Sequence, residues 1–169
     1  MKPRILFQLS GAAALAGGLL RMASALPLPL APLQAEALWA VIDVLLTLGL
    51  IGVYLARAER LGHLGLAAFV LAIAALSFIG GPDADPFGFS TYEQGAATLV
   101  IALVGLSIAW LRAGERPLAP PLLWFASALA GGAMAADAAA GWAFMAAGLL
   151  FGAAFVAAGL SLIGTRSSA

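Results

Sequence analysis

The stretch Ala37–Ala56, which reads ALWAVIDVLLTLGLIGVYLA, decides the fold of this chain. It is apolar almost throughout its twenty residues and contains one carboxylate, Asp43. A helix of about 20 apolar residues is long enough to cross the roughly 30 Å hydrocarbon core of a bilayer. A charged residue inside such a helix costs roughly 2.5–3.5 kcal/mol on insertion scales, so it normally has a polar partner. The stretch therefore predicts a transmembrane helix with other parts of the chain arranged around its carboxylate.

The composition of the whole chain is that of a membrane protein. Of its 169 residues, 63% are hydrophobic and 9% are charged, against about 45–50% and about 25% in soluble domains. The net charge is zero and no basic run occurs, which leaves nucleic-acid binding without electrostatic support. The absence of cysteine excludes disulfides, thiol catalysis and cysteine-ligated metals. The expected surroundings of the helices are therefore the lipid bilayer.

Six apolar segments, separated by short polar or proline-containing connections, predict the fold. We expect an all-α, polytopic integral membrane protein that forms a single domain over residues 1–169. Short connections make consecutive helices antiparallel neighbours in an up-and-down bundle. The predicted transmembrane helices are approximately 5–26, 37–56, 62–79, 92–111, 118–136 and 142–163.

The distribution of charge predicts the orientation of the bundle, because short cytoplasmic loops are rich in Lys and Arg. With both termini in the cytoplasm (N-in/C-in), all basic residues except Arg21 fall on the cytoplasmic side. Trp39 and Trp142 are then expected near the outer interface, where aromatic side chains are enriched. Trp110 and Trp124 are expected near the inner interface for the same reason. Charge and tryptophan placement thus predict one topology.

The first apolar segment has two interpretations. Residues 1–25 have the form of a signal peptide, since Ala23–Ala25 resembles a cleavage site after a short basic head and an apolar run. Retention as the first transmembrane helix is favoured, because residues 5–26 can span a bilayer and Arg21 lies just before the supposed cleavage site.

Two charged side chains inside the predicted helices, Arg21 and Asp43, define the candidate site. They lie towards the same end of consecutive antiparallel helices, so a direct ion pair is geometrically feasible. Each would otherwise be an isolated charge in a medium of low dielectric constant. The pair is either a structural contact between the first two helices or one wall of a polar pocket that opens to the outer side.

Further polar residues belong to the same predicted end of the bundle. If they converge with Arg21 and Asp43, the site is acidic and suits a cation, a proton relay or a small polar solute. A plainer explanation exists for Glu93, which the helix dipole favours near a helix N-terminus, and for Asp137 as a loop residue in water. The additional candidates are Thr47, Tyr92, Glu93, Gln94 and Asp137.

Glycines form a stripe along the sixth predicted helix. Gly141, Gly148, Gly152 and Gly159 are separated by 7, 4 and 7 residues, which places them on one helix face. Small residues allow membrane helices to approach each other closely. We expect this stripe to pack against another helix, either of the same chain or of a second subunit.

The sequence predicts neither catalysis nor a cofactor. No nucleophile elbow, zinc-binding helix or phosphate-binding loop is present. The single histidine, His63, is expected at an interface, and the Asp83–Asp85 pair lacks the remaining ligands of a cation-binding loop. We therefore expect no enzyme activity and no metal site.

The leading hypothesis for function is an accessory, scaffold or assembly subunit that acts through helix packing, as a homo-oligomer or within a larger membrane complex. One alternative is a small oligomeric transporter or channel with an outer-facing acidic site at Arg21, Asp43 and Glu93. Another is a membrane sensor of cations or pH that needs a partner. The composition resembles that of small multi-pass proteins from bacteria with alanine-rich proteomes, which implies residence in the bacterial inner membrane.

Overall fold

The computed structural model describes residues 3–80, 88, 90–135 and 140–164. Over these ranges the chain is all-helical, and each predicted helix is present. The bounds differ from the predicted ones by at most two residues, except at the starts of the second and third helices. The helices are α1 (Pro3–Ser24), α2 (Pro32–Leu55), α3 (Ala58–Ile79), α4 (Thr91–Arg112), α5 (Ala119–Ala135) and α6 (Ala140–Gly164).

Five of the helices that the structure describes are long and apolar enough to cross a membrane. They are α1, α2, α3, α4 and α6, with spans of 21 to 24 residues. Helix α5 has the same apolar character but is described over only 17 residues. The architecture is therefore that of a helical bundle suited to multiple membrane crossings.

Helix α2 begins five residues earlier than predicted, at Pro32. Proline is favoured in the first turn of a helix, because its missing N–H would have no partner there and its φ angle is already helical. The backbone N–H of Ala31 donates to Oε1 of Gln34 at 3.1 Å, which stabilises this start. Asp43 therefore lies eleven residues into α2, roughly 16 Å along its axis, near the middle of the helix.

Helix α3 also begins earlier than predicted, because its first turn includes residues expected in a charged loop. Ala58–Leu61 is helical, and the chain then kinks at Gly62, whose φ and ψ are 61° and −163°. A positive φ is accessible to glycine but unfavourable for residues that carry a Cβ. Gly62 thus allows one short turn to continue into the long apolar helix.

The helices form a ring with one weak joint. Helix α1 packs between α2 and α6, α6 also packs against α5, and α3 packs extensively against α4. Contacts between α4 and α5 are fewer, and those between α2 and α3 are the fewest of any consecutive pair. We call this joint the α2–α3 seam.

Glycines of α6 determine how closely α1 can approach. A methyl group added at Gly152 would lie 2.5 Å from the carbonyl oxygen of Gly18, and one added at Gly159 would lie 2.5 Å from that of Gly11. Farther along, Gly148 lies against Arg21 of α1 and Ala25, which follows α1. These glycines therefore face α1 of the same chain. The remaining member of the predicted stripe, Gly141, lies in α6 where the structure does not describe side-chain surroundings.

Candidate functional site

Arg21 lies among aromatic rings near the end of α1. Its guanidinium carbon is 5.1 Å from the ring centre of Trp39 and 5.9 Å from that of Phe151. Its Nη1 atom donates a hydrogen bond to Oγ of Ser24 at 3.3 Å. A guanidinium within about 6 Å of an aromatic ring is attracted to the negative face of that ring. The cation is thus held between α2 and α6.

The predicted direct ion pair between Arg21 and Asp43 is not formed. Among the described residues, the ion pairs with nitrogen–oxygen distances up to 4.0 Å both involve Glu115 and do not include either residue. Arg21 and Asp43 interact only at longer range. The physical reason is the position of the guanidinium, which lies against Trp39 and Phe151 instead.

Asp43 lines a groove in the α2–α3 seam. The groove has a volume of about 320 Å³, and the carboxylate is half-buried in it. Thr47 and Ser77 add hydroxyl groups, and Oγ of Ser77 donates to the carbonyl oxygen of Ile73 at 3.0 Å. The structure thus brings Asp43 together with Thr47, as the sequence analysis allowed, and adds Ser77, which that analysis missed. The complete lining is Asp43, Val44, Thr47, Leu48, Leu76, Ser77 and Gly80.

The other predicted site residues do not line this groove. Tyr92 is exposed in the first turn of α4. Glu93 and Gln94 are exposed in the first turn of α4. The backbone N–H of Glu93 donates to Oγ of Ser90 at 3.2 Å, which is the usual capping arrangement at a helix start. Asp137 lies outside the described residues.

A second polar cluster lies at the opposite end of the bundle, which we call the basic end because it carries Arg57, Arg60, Arg112 and Arg116. Arg57 is buried there between α2 and α3. Its Nη1 donates to the carbonyl oxygen of Val53 at 3.3 Å, and its Nη2 donates to Oγ of Ser161 at 3.0 Å. The guanidinium carbon also lies 4.1 Å from the ring centre of Trp110. One side chain therefore connects the α2–α3 junction with α4 and α6.

Glu115, in the connection between α4 and α5, supplies the negative charge of this cluster. Its Oε2 lies 3.8 Å from Nε of Arg57, and its Oε1 accepts a hydrogen bond from Nη1 of Arg60 at 2.6 Å. Its backbone oxygen accepts a hydrogen bond from Nε1 of Trp110 at 3.1 Å. Burial lowers the pKa of the Arg57 guanidinium, and the charge of Glu115 opposes that effect. In the sequence, these charges indicated only the orientation of the bundle.

A column of aromatic rings runs from the basic end into the bundle. The ring centres of Trp110 and Trp124 are 6.3 Å apart, those of Trp124 and Phe155 are 5.4 Å apart, and those of Phe155 and Phe151 are 5.2 Å apart. Arg57 lies against the first ring and Arg21 against the last.

Burial of this column adds to one prediction. Trp110 and Trp124 are 0% and 1% exposed, so at the basic end, where the inner belt is predicted, their rings face the interior of the bundle. Their rings fill the space between helices, where large apolar surfaces gain most from burial. Trp142, by contrast, is 65% exposed.

Neither metal-binding chemistry nor similarity to known proteins suggests an activity. Within the described ranges, no three His, Cys, Asp or Glu side chains are grouped as metal ligands would be. No known protein family, curated protein or solved structure matches this chain.

Proposed function

We propose that this chain is a non-enzymatic membrane protein that serves as an accessory or scaffold subunit and binds a partner helix at the α2–α3 seam. The observation that supports this proposal is the half-buried carboxylate of Asp43 in the least extensive contact between consecutive helices. A polar group that faces lipid without a partner costs several kcal/mol. Among the described residues, Asp43 has no ion-pair partner within 4.0 Å, and a partner helix that covers the seam would supply one.

The packing of the glycine stripe supports the seam as the docking surface. Gly148, Gly152 and Gly159 already contact α1, so this face of α6 is occupied within the chain. By contrast, Val44 and Leu48 on the rim of the seam are about half exposed. A partner helix would cover these apolar side chains together with the polar groups between them.

We further propose that the protein spans the bacterial inner membrane six times, with both termini and the basic end in the cytoplasm. The charges at the basic end support this orientation, because short cytoplasmic loops are rich in Lys and Arg. The four arginines of this end all lie in or beside the short α2–α3 and α4–α5 connections. The chain has no cysteine, so single cysteines can report the orientation. A cysteine at Arg116 should react with a membrane-impermeant maleimide only after the membrane is opened, and one at Glu36 should react in intact cells.

Site-specific photocrosslinking tests the docking proposal. A photoreactive amino acid at Val44 should form an adduct with another membrane protein in native membranes. The matched control carries it at Ile101 of α4, which is 66% exposed and does not line the groove. Equal adduct yields at both positions, or no adduct at Val44, would contradict docking at the seam. An adduct of twice the chain's own mass would identify a second copy as the occupant.

A small transporter or channel is the second candidate, because the groove combines a carboxylate with two hydroxyl groups. Such a set suits a cation or a small polar solute. This candidate predicts solute or cation uptake by vesicles that contain only the purified chain. Asp43→Asn should abolish the uptake and leave the fold intact, whereas Glu93→Gln should leave uptake unchanged.

A further inference from the structure

We propose that the partner helix presents a basic side chain, lysine or arginine, to Asp43 in the α2–α3 seam. This inference rests on the proposed function and specifies the chemistry of the partner. Three observations support it. The seam has a negative electrostatic potential, the chain's own arginines make contacts elsewhere, and the seam is lined by both apolar and polar side chains.

The seam attracts positive charge because two negative groups meet in it. A methyl group added at Gly80, the residue that follows the last turn of α3, would lie 3.6 Å from Oδ2 of Asp43. The carboxyl end of a helix carries a partial negative charge of roughly half an elementary charge. The carboxylate therefore lies beside a helix end that repels it, and a cation between them would be attracted by both.

The hydroxyl groups of the seam also favour a positively charged occupant. The proton of Ser77 Oγ is used in the hydrogen bond to Ile73, so the lone pairs of this oxygen remain available as acceptors. Thr47 adds a second hydroxyl group one turn from Asp43 on α2. A lysine or arginine head group offers several N–H donors to such a set of oxygen atoms.

Three arginines of the chain make contacts with groups other than Asp43. Arg21 is held by the rings of Trp39 and Phe151 and by Ser24. Arg57 and Arg60 contact Glu115 at the basic end, away from the seam groove. Among the described residues, the carboxylate of Asp43 therefore has no ion-pair partner within 4.0 Å.

The lining of the seam favours a helix over a free hydrated ion. Val44, Leu48 and Leu76 make up much of the groove. An occupant must therefore offer apolar surface to these residues and a positive charge to Asp43. A membrane helix with one basic residue meets both requirements, because lysine and arginine carry the charge at the end of an apolar stem.

Synthetic transmembrane peptides test this charge preference directly. The full-length protein is placed in phosphatidylcholine vesicles. It carries a fluorescent label on a single introduced cysteine, Leu129→Cys, at an exposed position of α5. Labelled leucine–alanine helices with a central lysine, leucine or glutamate are titrated into these vesicles. Binding is measured as energy transfer between the label on the protein and the label on the peptide. The lysine peptide should bind about tenfold more tightly than the leucine peptide, near the upper range of interhelical polar contacts. The glutamate peptide should bind most weakly.

Two variants make the result specific. Asp43→Asn should abolish the preference for lysine, whereas Glu93→Gln removes an exposed carboxylate and should preserve it. Equal binding of the lysine and leucine peptides would overturn the proposal. Release of the lysine peptide by millimolar sodium ions, with sodium binding that requires Asp43, would also overturn it in favour of a free-ion site.

The native-membrane crosslink separates this inference from the proposed function. If the adduct at Val44 persists undiminished in Asp43→Asn, the partner helix does not present a basic side chain to Asp43. Docking at the seam would still stand. Absence of any adduct at Val44, together with a lysine preference in vesicles, would contradict the proposed function while the charge preference of the seam stands.

Discussion

The guanidinium carbon of Arg57 lies 4.1 Å from the ring centre of Trp110, and both side chains are buried. This contact attaches the end of α4 to the junction of α2 and α3. Tyr54 and Phe69 stack with ring centres 4.1 Å apart and connect α2 with α3. Aromatic and charged contacts thus join α2 and α3 at the basic end of the α2–α3 seam. Farther along the seam, the groove around Asp43 separates the two helices.

We expect Arg57→Lys to lower the free energy of unfolding by about 2 kcal/mol, because lysine is a poor replacement at a stacked, multiply hydrogen-bonded arginine site. Lysine cannot contact Val53, Ser161 and Trp110 together. Circular dichroism during SDS titration of the detergent-solubilised protein measures the change. Arg60→Lys is the control and should cost less, since its side chain is 74% exposed. A larger loss for Arg60→Lys would be inconsistent with the cluster as described.

The two buried tryptophans should respond differently to replacement by phenylalanine. Trp110→Phe removes the hydrogen bond to the backbone oxygen of Glu115, and an unpaired buried acceptor costs about 1–3 kcal/mol. Nε1 of Trp124 is buried without a hydrogen-bond partner within the described structure, so Trp124→Phe removes an unsatisfied donor. Trp110→Phe should therefore be the more destabilising in the same unfolding assay. The reverse order would show that ring volume outweighs hydrogen bonding here.

The close contact between α1 and α6 should be sensitive to a single methyl group. Gly152→Ala places a Cβ against Gly18 and Met22, and overpacking of this kind costs about 1–3 kcal/mol. Gly131→Ala in α5 is the matched control, because a Cβ there meets nothing within 4 Å. It should stabilise the helix by about 0.5–1 kcal/mol. Equal effects of both variants would mean that α1 does not pack as described.

A double-mutant cycle decides whether Arg21 and Asp43 act as a structural pair. We expect Arg21→Gln and Asp43→Asn to be coupled by less than about 1 kcal/mol, because contacting residues typically give the larger interaction energies. Asp43→Asn alone should not destabilise the protein in detergent. Removal of one member of a buried pair would cost about 3–5 kcal/mol. Recovery of stability by the exchanged pair, Arg21→Asp with Asp43→Arg, would contradict the observed separation.

The helices were predictable because their signals are local. Apolar length, prolines and charged turns identified each segment, and four of the six starts agreed within two residues. The exceptions have local reasons of their own. Pro32 serves as the first residue of α2, and the positive φ at Gly62 admits one extra turn before the long part of α3.

The candidate site was predictable only in part. Asp43 and Thr47 share a groove because they are four residues apart on one helix, a spacing that sequence alone reveals. Ser77 comes from another helix, and Arg21 lies against Trp39 and Phe151, outside ion-pair distance of the carboxylate. Such relationships depend on how each helix is rotated about its own axis.

By itself, the sequence determined the class of protein and the positions of its apolar helices, since hydrophobic length and turn residues act along consecutive residues. Only the tertiary structure decided which side chains meet. Arg57 and Ser161 are 104 residues apart yet share a hydrogen bond, and Trp110 and Trp124 turn their rings into the space between helices. In a chain rich in alanine and glycine, several faces of each helix can pack almost equally well. The rotation of each helix is therefore chosen by all of its neighbours together.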